Sequence, residues 1–290
     1  MKQNNPPIDP KEEKIFEKMH IPFTKSKEMV WEELNKKIQA TPPNTKKQKT
    51  GKIILLSWIK MAAAAVLIAA IGLSVFVRFY TTTINTLNAQ HLSHILPDGS
   101  GVTLNASSTL SYQPYYWSFK RQLNFEGEGF FDVKKGSDFT VISSAGNTQV
   151  LGTSFNINTR NNQYEVFCLT GKVRVADYAA KNTAVLTPNH LAILNKTTIE
   201  VKKEVKATQI LAWKNNKFNF IAQPLHYVLA EIERQYNIVI DLQVKEPQNM
   251  VYTGNFKKNN APEAALDLIC QSFGFIFVQT GDKTYSIAKK

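Results

Sequence analysis

The hydrophobic pattern of the chain is dominated by one run. Residues 61–77, MAAAAVLIAAIGLSVFV, are seventeen positions with no charge and no proline. At ~1.5 Å of rise per residue, a helix over them reaches the short end of what crosses a bilayer core. Residues 53–59 lengthen it once Lys60 snorkels to the headgroups. A buried core helix would need polar residues at helical spacing on its outward side, and only Gly72 and Ser74 interrupt the apolar surface. Sixty residues precede the run and no Ala-x-Ala site follows it, which argues against a signal peptide. One transmembrane helix is therefore predicted over 53–79.

Before the span the pattern is helical and short. Residues 11–20 place Ile15, Phe16 and Met19 on one face, and Pro22 stops that helix. Ser26 is placed to cap a second helix over 27–39, where Val30, Leu34 and Ile38 form an i, i+4, i+8 stripe with Trp31 beside it. A Pro-rich tail (1–10) and the linker TPPNTKKQKTGK flank them. Helices this short are marginal alone, so their apolar faces suggest folding on a partner. A hairpin lying on the membrane, or a disordered tail, is the alternative.

After the span, 79–90 is polar and Thr/Asn-rich, and reads as a tether. From there to about 206 short alternating segments recur about every ten residues, for example 102–104, 110–112, 121–125, 139–142, 155–157 and 165–169, with glycines between them. This texture predicts an all-β sandwich or solenoid. From Trp213 it changes to a strand (217–220), a helix opened by Pro224, a strand (238–242), and a second round: strand 251–256, helix 261–273, strands 275–279 and 285–288. The rounds superpose at an offset of 37, matching Leu229, Ile232, Tyr236, Ile238 and Ile240 to Leu266, Ile269, Phe273, Phe275 and Phe277. A duplicated βαβ unit, or two halves of one small α+β domain, follows. The predicted domains are thus 1–52 (helices and linker), 53–79 (span), 80–208 (β domain) and 209–290 (α+β domain).

Charge fixes an expected orientation. Lys46, Lys47, Lys49, Lys52 and Lys60 precede the span; after Arg78 no Lys or Arg occurs until Lys120. The cationic flank belongs in the cytoplasm, so the C-terminal part lies outside. The net charge of +12 divides evenly, with 13 Lys+Arg against 7 Asp+Glu in 1–60 and 22 against 16 in 78–290. The inner excess lies beside the membrane and the outer excess is scattered, so a nucleic-acid partner is not indicated. Cys168 and Cys270 fall in different domains and read as buried apolar residues, not a disulfide.

Little in the chain suggests chemistry. Glu126 and Glu128 bracket Gly127 and would share a strand face, but read as surface. His91 and His94 lack a third ligand nearby and read as solvated; no metal or cofactor is expected. No phosphate loop and no Cys-x-x-Cys occurs. The chain is not expected to be an enzyme. At Gly152-Thr153 a hydroxyl could attack the preceding carbonyl, giving single-turnover self-cleavage; a glycine turn followed by a β-former is the plainer reading.

Several segments in order, LPDGSGVTLNASSTLSY (96–112), FEGEGFFDV (125–133), VLGTSFNI (150–157), LTGKVRV (169–175) and AWKNNKFNF (212–220), closely resemble the FecR family. These are single-pass anti-sigma factors of cell-surface signalling, here most like the Bacteroidetes branch. The resemblance covers about 96 to the C-terminus, and less specifically 21–38. The closing module resembles the family's C-terminal domain, itself similar to the signalling domains (STN-like) of secretins and TonB-dependent receptors. Gly129, Ser137-Asp138, Asn189-His190 and Asn216 depart from the family pattern, all at turns or as small swaps.

The resemblance implies an inner-membrane protein with its N-terminus in the cytoplasm and its C-terminus in the periplasm. A TonB-dependent outer-membrane receptor would dock its signalling domain on the outer part. The signal would then reach an extracytoplasmic-function (ECF) RNA polymerase sigma factor through regulated proteolysis, and the resemblance strengthens the self-cleavage reading of Gly152-Thr153. Ile15, Phe16, Met19, Val30, Trp31, Leu34 and Ile38 would bind the sigma factor. Sheet edges at 251–256 and 285–288, with Val251, Tyr252, Phe256 and Tyr285, would take the receptor domain. Two other classes compete: a membrane-anchored periplasmic scaffold or adhesin with no sigma partner, and a tethered carbohydrate-active domain, which would need Glu126, Glu128 and Trp117 to line one cleft.

Overall fold

The computed structural model describes residues 24–40, 52–161, 163–195, 198–244 and 249–290. It divides into two units, residues 1–66 and 67–290. The helix expected over 11–20, with Ile15, Phe16 and Met19, lies outside the described residues.

Helix α1 spans Lys27–Ala40 and buries none of its residues. Ser26 starts it as predicted: its Oγ accepts from the Met29 amide at 3.4 Å and its carbonyl from the Val30 amide at 3.1 Å. Helix α2 runs unbroken over Lys52–Phe79. Within its segment Ser57–Phe79 the most apolar 18-residue stretch has a mean hydropathy of 2.2 and none of its residues buried, and the whole segment has 23 residues. At ~1.5 Å per residue this is ~34 Å, enough for a ~30 Å hydrocarbon core. The Ser74 hydroxyl donates to the Ala70 carbonyl at 2.8 Å, so it needs no water there.

The segment expected to be a tether instead holds a strand, β1 (Thr82–Thr86), paired with β4 (Ser108–Tyr112). Its β-branched threonines suit a pleated surface. Ile84 packs on the core, and the buried Thr86 hydroxyl donates to the Asn105 carbonyl at 2.7 Å and accepts from the Ser108 amide at 2.9 Å.

The β domain is a sandwich of two seven-stranded sheets. In sheet A, β1 and β4 are followed by β5 (Arg121–Glu126), β7 (Phe139–Ile142), β8 (Gly146–Val150), β11 (Val173–Asp177) and β12 (Thr183–Leu186). Sheet B runs β14 (Thr198–Lys202), β13 (Leu191–Asn195), β10 (Tyr164–Cys168), β9 (Ser154–Asn158), β6 (Glu128–Asp132), β3 (Gly101–Leu104) and β2 (Leu92–Ile95). Pairing is antiparallel except between β5 and β7. Phe125, Phe131 and Phe155 meet in the core, Phe131 and Phe155 stacked at 5.1 Å. The Thr148 and Tyr164 hydroxyls, 2.7 Å apart, bridge the two sheets.

The Pro-Asp-Gly turn is tied down by Arg121. Asp98 accepts from the Ser100 amide and hydroxyl and from Arg121 Nε at 2.8 Å, with a second contact from Arg121 Nη2. Arg121 also donates to the carbonyls of Ser137 (2.7 Å) and Lys134 (2.9 Å). Burial pushes the Asp98 carboxyl up, but Ser100 and Arg121 outweigh it and hold it below the usual range.

The C-terminal module follows the predicted order. It contains β15 (Lys217–Pro224), α4 (Leu225–Tyr236), β16 (Val239–Gln243), β17 (Val251–Lys257), α5 (Glu263–Phe273), β18 (Phe275–Gly281) and β19 (Thr284–Lys289), with a short α3 (Ala207–Ile210) and a 3-10 turn leading in. The two helices stand 38 positions apart at their starts and 37 at their ends, in line with the repeat. The first strands of the two rounds pair with each other, β15 with β17, whereas β16 and β18 flank β19. Both helices bury one face in a separate core around Val228, Ile232, Leu266 and Ile269. Cys168 and Cys270 are free and buried, each in its own domain.

Replacing Arg121 with Ala leaves Asp98 without its cation in a largely buried site. It should cost about 3 kcal/mol or more, read by chemical denaturation of the purified protein.

Candidate functional site

Strand alternation sets which residues of sheet B face the sandwich core. Phe131, Phe155, Ile157 and Val166 point in. Glu128, Phe130, Asn156 and Phe167 take the opposite face, yet all four are buried. The C-terminal module and its leading turn cover that face. Trp213 is buried against it and donates from Nε1 to Asn156 Oδ1 at 3.3 Å, while Lys214 Nζ sits 3.5 Å from the centre of the Phe130 ring.

Charge is concentrated under this cover. Arg160 Nη1 donates to Glu128 Oε2 at 3.3 Å and to Glu231 Oε2 on α4 at 2.8 Å; its Nη2 also reaches the Ala106 carbonyl. Arg234 donates to Glu231 from Nε (3.1 Å) and Nη2 (2.9 Å). Asn105 Nδ2 donates to Glu128 at 2.7 Å, and Gln235 Nε2 donates to Asn105 Oδ1 (2.7 Å) and Glu231 Oε1 (2.9 Å). Lys258 donates to Gln235 Oε1 at 3.2 Å, and the Ala89 amide to the Arg234 carbonyl at 2.7 Å. Residues from β6, α4 and the loops before β4 and after β9 thus form one buried network. A cavity of ≈190 Å³ beside it is lined by Arg160, Trp213, Tyr227 and Lys258 among others.

The two carboxylates are driven apart. Burial pushes Glu128 up to about 7, against the pull of Arg160 and with a further push from Glu231. Burial also pushes Glu231 up, but Arg160 and Arg234 together hold it below the ordinary range. Of the pair, Glu128 is the carboxyl whose ionisation burial opposes most, and Glu231 is the one whose ionised form the two arginines favour.

This corrects the reading of Glu126 and Glu128 as a surface pair on one strand. Gly127, at φ +109°, ends β5 and starts β6, so the two belong to different sheets; a Cβ there would come within 2.7 Å of Ser108 Cα. Glu126 stays exposed, accepting from the Ser144 amide and the Thr159 hydroxyl. Trp117 is buried in the sandwich against Tyr112 and Phe139, so the carbohydrate cleft does not form. The histidines are not solvated. His91 is half-buried, 3.3 Å from Gln235 Oε1 and edge-on to Trp213, and His94 is 3.0 Å from the Tyr112 hydroxyl. Among the described residues no group of three or more His, Cys, Asp or Glu could hold a metal.

Thr153 is buried, and its hydroxyl donates to the Lys172 carbonyl at 3.1 Å. A Cβ at Gly152 would come within 2.6 Å of Lys135 Cα, and one at Gly171 within 2.9 Å of Thr153 Oγ1, so the bond is closely hemmed in. On α1, Val30, Trp31, Leu34 and Ile38 are all exposed, Trp31 at 67 %. Of the proposed edges, β17 pairs only with β15 and keeps its other side free among the described residues. β19 is central, paired by β16 and β18, so the strand carrying Tyr285 offers no edge. Tyr252 and Tyr285 are buried, Val251 is exposed and Phe256 is half-buried.

Sequence reading missed Glu128, Arg160, Glu231 and Gln235 as a group. A signal was present: Glu128 precedes the apolar GFF of β6, and Glu231 and Gln235 lie one turn apart on α4.

Among the described residues the fold has one helix long and apolar enough to cross a membrane, followed by a β-sandwich capped by a duplicated α+β module. The FecR protein family model matches residues 82–174, and the FecR C-terminal model matches 217–286. The chain belongs to the FecR family. Two crystal structures of a candidate anti-sigma factor from Parabacteroides distasonis ATCC 8503 are similar to it, both at 29% identity. One has a TM-score of 0.66 and covers 73% of this chain and 100% of that chain; the other has 0.65, with 72% and 99%. A search of curated proteins found no match.

Between about pH 5 and about pH 8 the folded chain holds the Glu128 proton more tightly than the unfolded chain does. The stability this group contributes therefore falls as pH rises through about 7. Glu128→Gln should flatten that fall relative to wild type, and thermal unfolding across the range measures the difference. His91, lowered by burial, acts with the opposite sign and is present in both proteins.

Proposed function

We propose that the chain is a transmembrane anti-sigma factor that relays a signal inward to an ECF-type sigma factor. Three features support this: membership of the FecR family, similarity to a candidate anti-sigma factor, and one span-length apolar helix. The observation that carries the sigma-binding step is α1. It displays Val30, Trp31, Leu34 and Ile38 as a stripe that stays exposed among the described residues. An amphipathic helix of this kind is completed by a groove on a partner. In this reading, which the excess of cations before the span supports, the Lys-rich flank lies on the cytoplasmic side, α1 is cytoplasmic and the sandwich is periplasmic. There the C-terminal module, STN-like in this reading, meets the signalling domain of a TonB-dependent receptor. The free side of β17, with Val251 exposed and Phe256 half-buried, is the edge offered to it.

The chain works by binding, with one candidate covalent event. At Gly152-Thr153 the Thr153 hydroxyl adds to the Gly152 carbonyl carbon and the C–N bond breaks. The hydroxyl proton passes to the freed amine, and water then hydrolyses the ester. Gly152, at φ +157° and without a side chain, leaves its carbonyl unhindered by a Cβ.

Trp31→Ala should weaken sigma-factor binding by about 30-fold or more, as central aromatic anchors do. Co-purification of the sigma factor with detergent-extracted full-length protein measures it, and an unchanged yield counts against the assignment. Thr153→Ala should abolish any fragment beginning at residue 153; intact-mass analysis of periplasmic fractions reads this directly.

A further inference from the structure

The link between β4 and β5, residues 113–120, departs from the sandwich in a way its neighbours do not. Trp117 pins it, buried edge-on against Tyr112 (5.4 Å) and Phe139 (5.7 Å). The aromatic residues on either side turn outward. Tyr115 is 55% exposed and Phe119 78% exposed, and Phe119 stacks on Tyr116 at 5.4 Å. The link carries Lys120 and no acidic residue.

It also meets the end of α2. The Tyr115 ring lies 5.7 Å from that of Phe76 and 5.4 Å from that of Tyr80. Arg78 Nη1 donates to Gln113 Oε1 at 3.0 Å, and its guanidinium stands 4.4 Å over the Tyr116 ring. Phe76 is three residues, or about 4.5 Å, before the end of the helix. The headgroup layer on each side of the hydrocarbon is about 5–7 Å deep. Tyr115 therefore sits at the level where hydrocarbon gives way to headgroups. Rings with a polar tip concentrate there, and cations beside them meet lipid phosphates.

We propose that residues 113–120 form a membrane foot. Tyr115, Tyr116 and Phe119 rest in the headgroup layer of the bilayer that α2 crosses, and Arg78 and Lys120 face the phosphates of anionic phospholipid. The proposal rests on the reading that Ser57–Phe79 spans the membrane. Lipid is the occupant because the patch is continuous with the span, at a height where headgroups surround the helix. The foot gives the sandwich a second attachment besides its covalent link, and so limits its rotation about the helix end.

The test uses full-length protein in nanodiscs of phosphatidylethanolamine and phosphatidylglycerol. Phe119→Cys, Leu73→Cys and Tyr178→Cys are each labelled with an environment-sensitive fluorophore; Cys168 and Cys270 are buried and stay unlabelled. Tyr178 is exposed beside β11, about 24 Å across sheet A from β1 at ~4.8 Å per strand. Quenchers are placed shallow and deep on the lipid chains. The label at 119 should lose fluorescence to the shallow quencher, the label at 73 to the deep one, and the label at 178 to neither. A label at 119 that behaves like the one at 178, while 73 is quenched, overturns the foot and leaves the span intact. No quenching at 73 overturns the span itself, and the foot with it. A label at 119 left unquenched in discs with one copy, and protected only where two copies share a disc, assigns the patch to a second copy and rejects the lipid contact.

Discussion

The C-terminal part of the chain depends on one burial: the outer face of sheet B cannot stand in water as built. It presents Phe130, Phe167 and Leu191 beside Glu128 and Asn156, and all are buried once the C-terminal module closes over them. Apolar area drives that closure, while the Arg160 network fixes its geometry. Arg160 reaches Glu128 on the sandwich and Glu231 on the module with the same nitrogen. Taking one partner away would leave a charge in low dielectric, which is far more costly than the pair is favourable. The network therefore specifies the docking more than it strengthens it.

That constraint bears on signalling. A receptor domain at β17 would press on a module whose α4 already carries Glu231, Arg234 and Gln235 into the network. In the proposed reading, strain at the module would reach β6 and the loops before β4 and after β9 through these contacts. β4 pairs with β1, which follows directly from α2, so few elements separate the network from the long apolar helix. Arg121 and Asp98 close the opposite corner, holding the β2–β3 turn to β5 and to the segment between β6 and β7.

The family departures sit where the backbone explains them. Asn189 and Asn216 adopt φ of 65° and 52°, the left-handed region that Asn tolerates better than most non-glycine residues. Gly129 faces the core, where a Cβ would come within 3.0 Å of the Phe125 ring, so this chain's phenylalanine packing is matched to a glycine.

Local pattern alone was enough for the long apolar helix, the Ser26 cap, the order of strands in the C-terminal module and the 37-residue repeat, because each depends on neighbours in sequence. Sequence could not say that residues 82–86 form a strand, since polar threonines read as a tether until β4 lies beside them. It could not separate Glu126 from Glu128, because the +109° glycine between them sends one to each sheet. Nor could it show that β19 is central and not an edge, or that His91 is covered. Alternation assigns a side chain to a face; whether that face meets water is decided by residues a hundred positions away, such as Glu231 and Gln235, that only the folded chain brings against it.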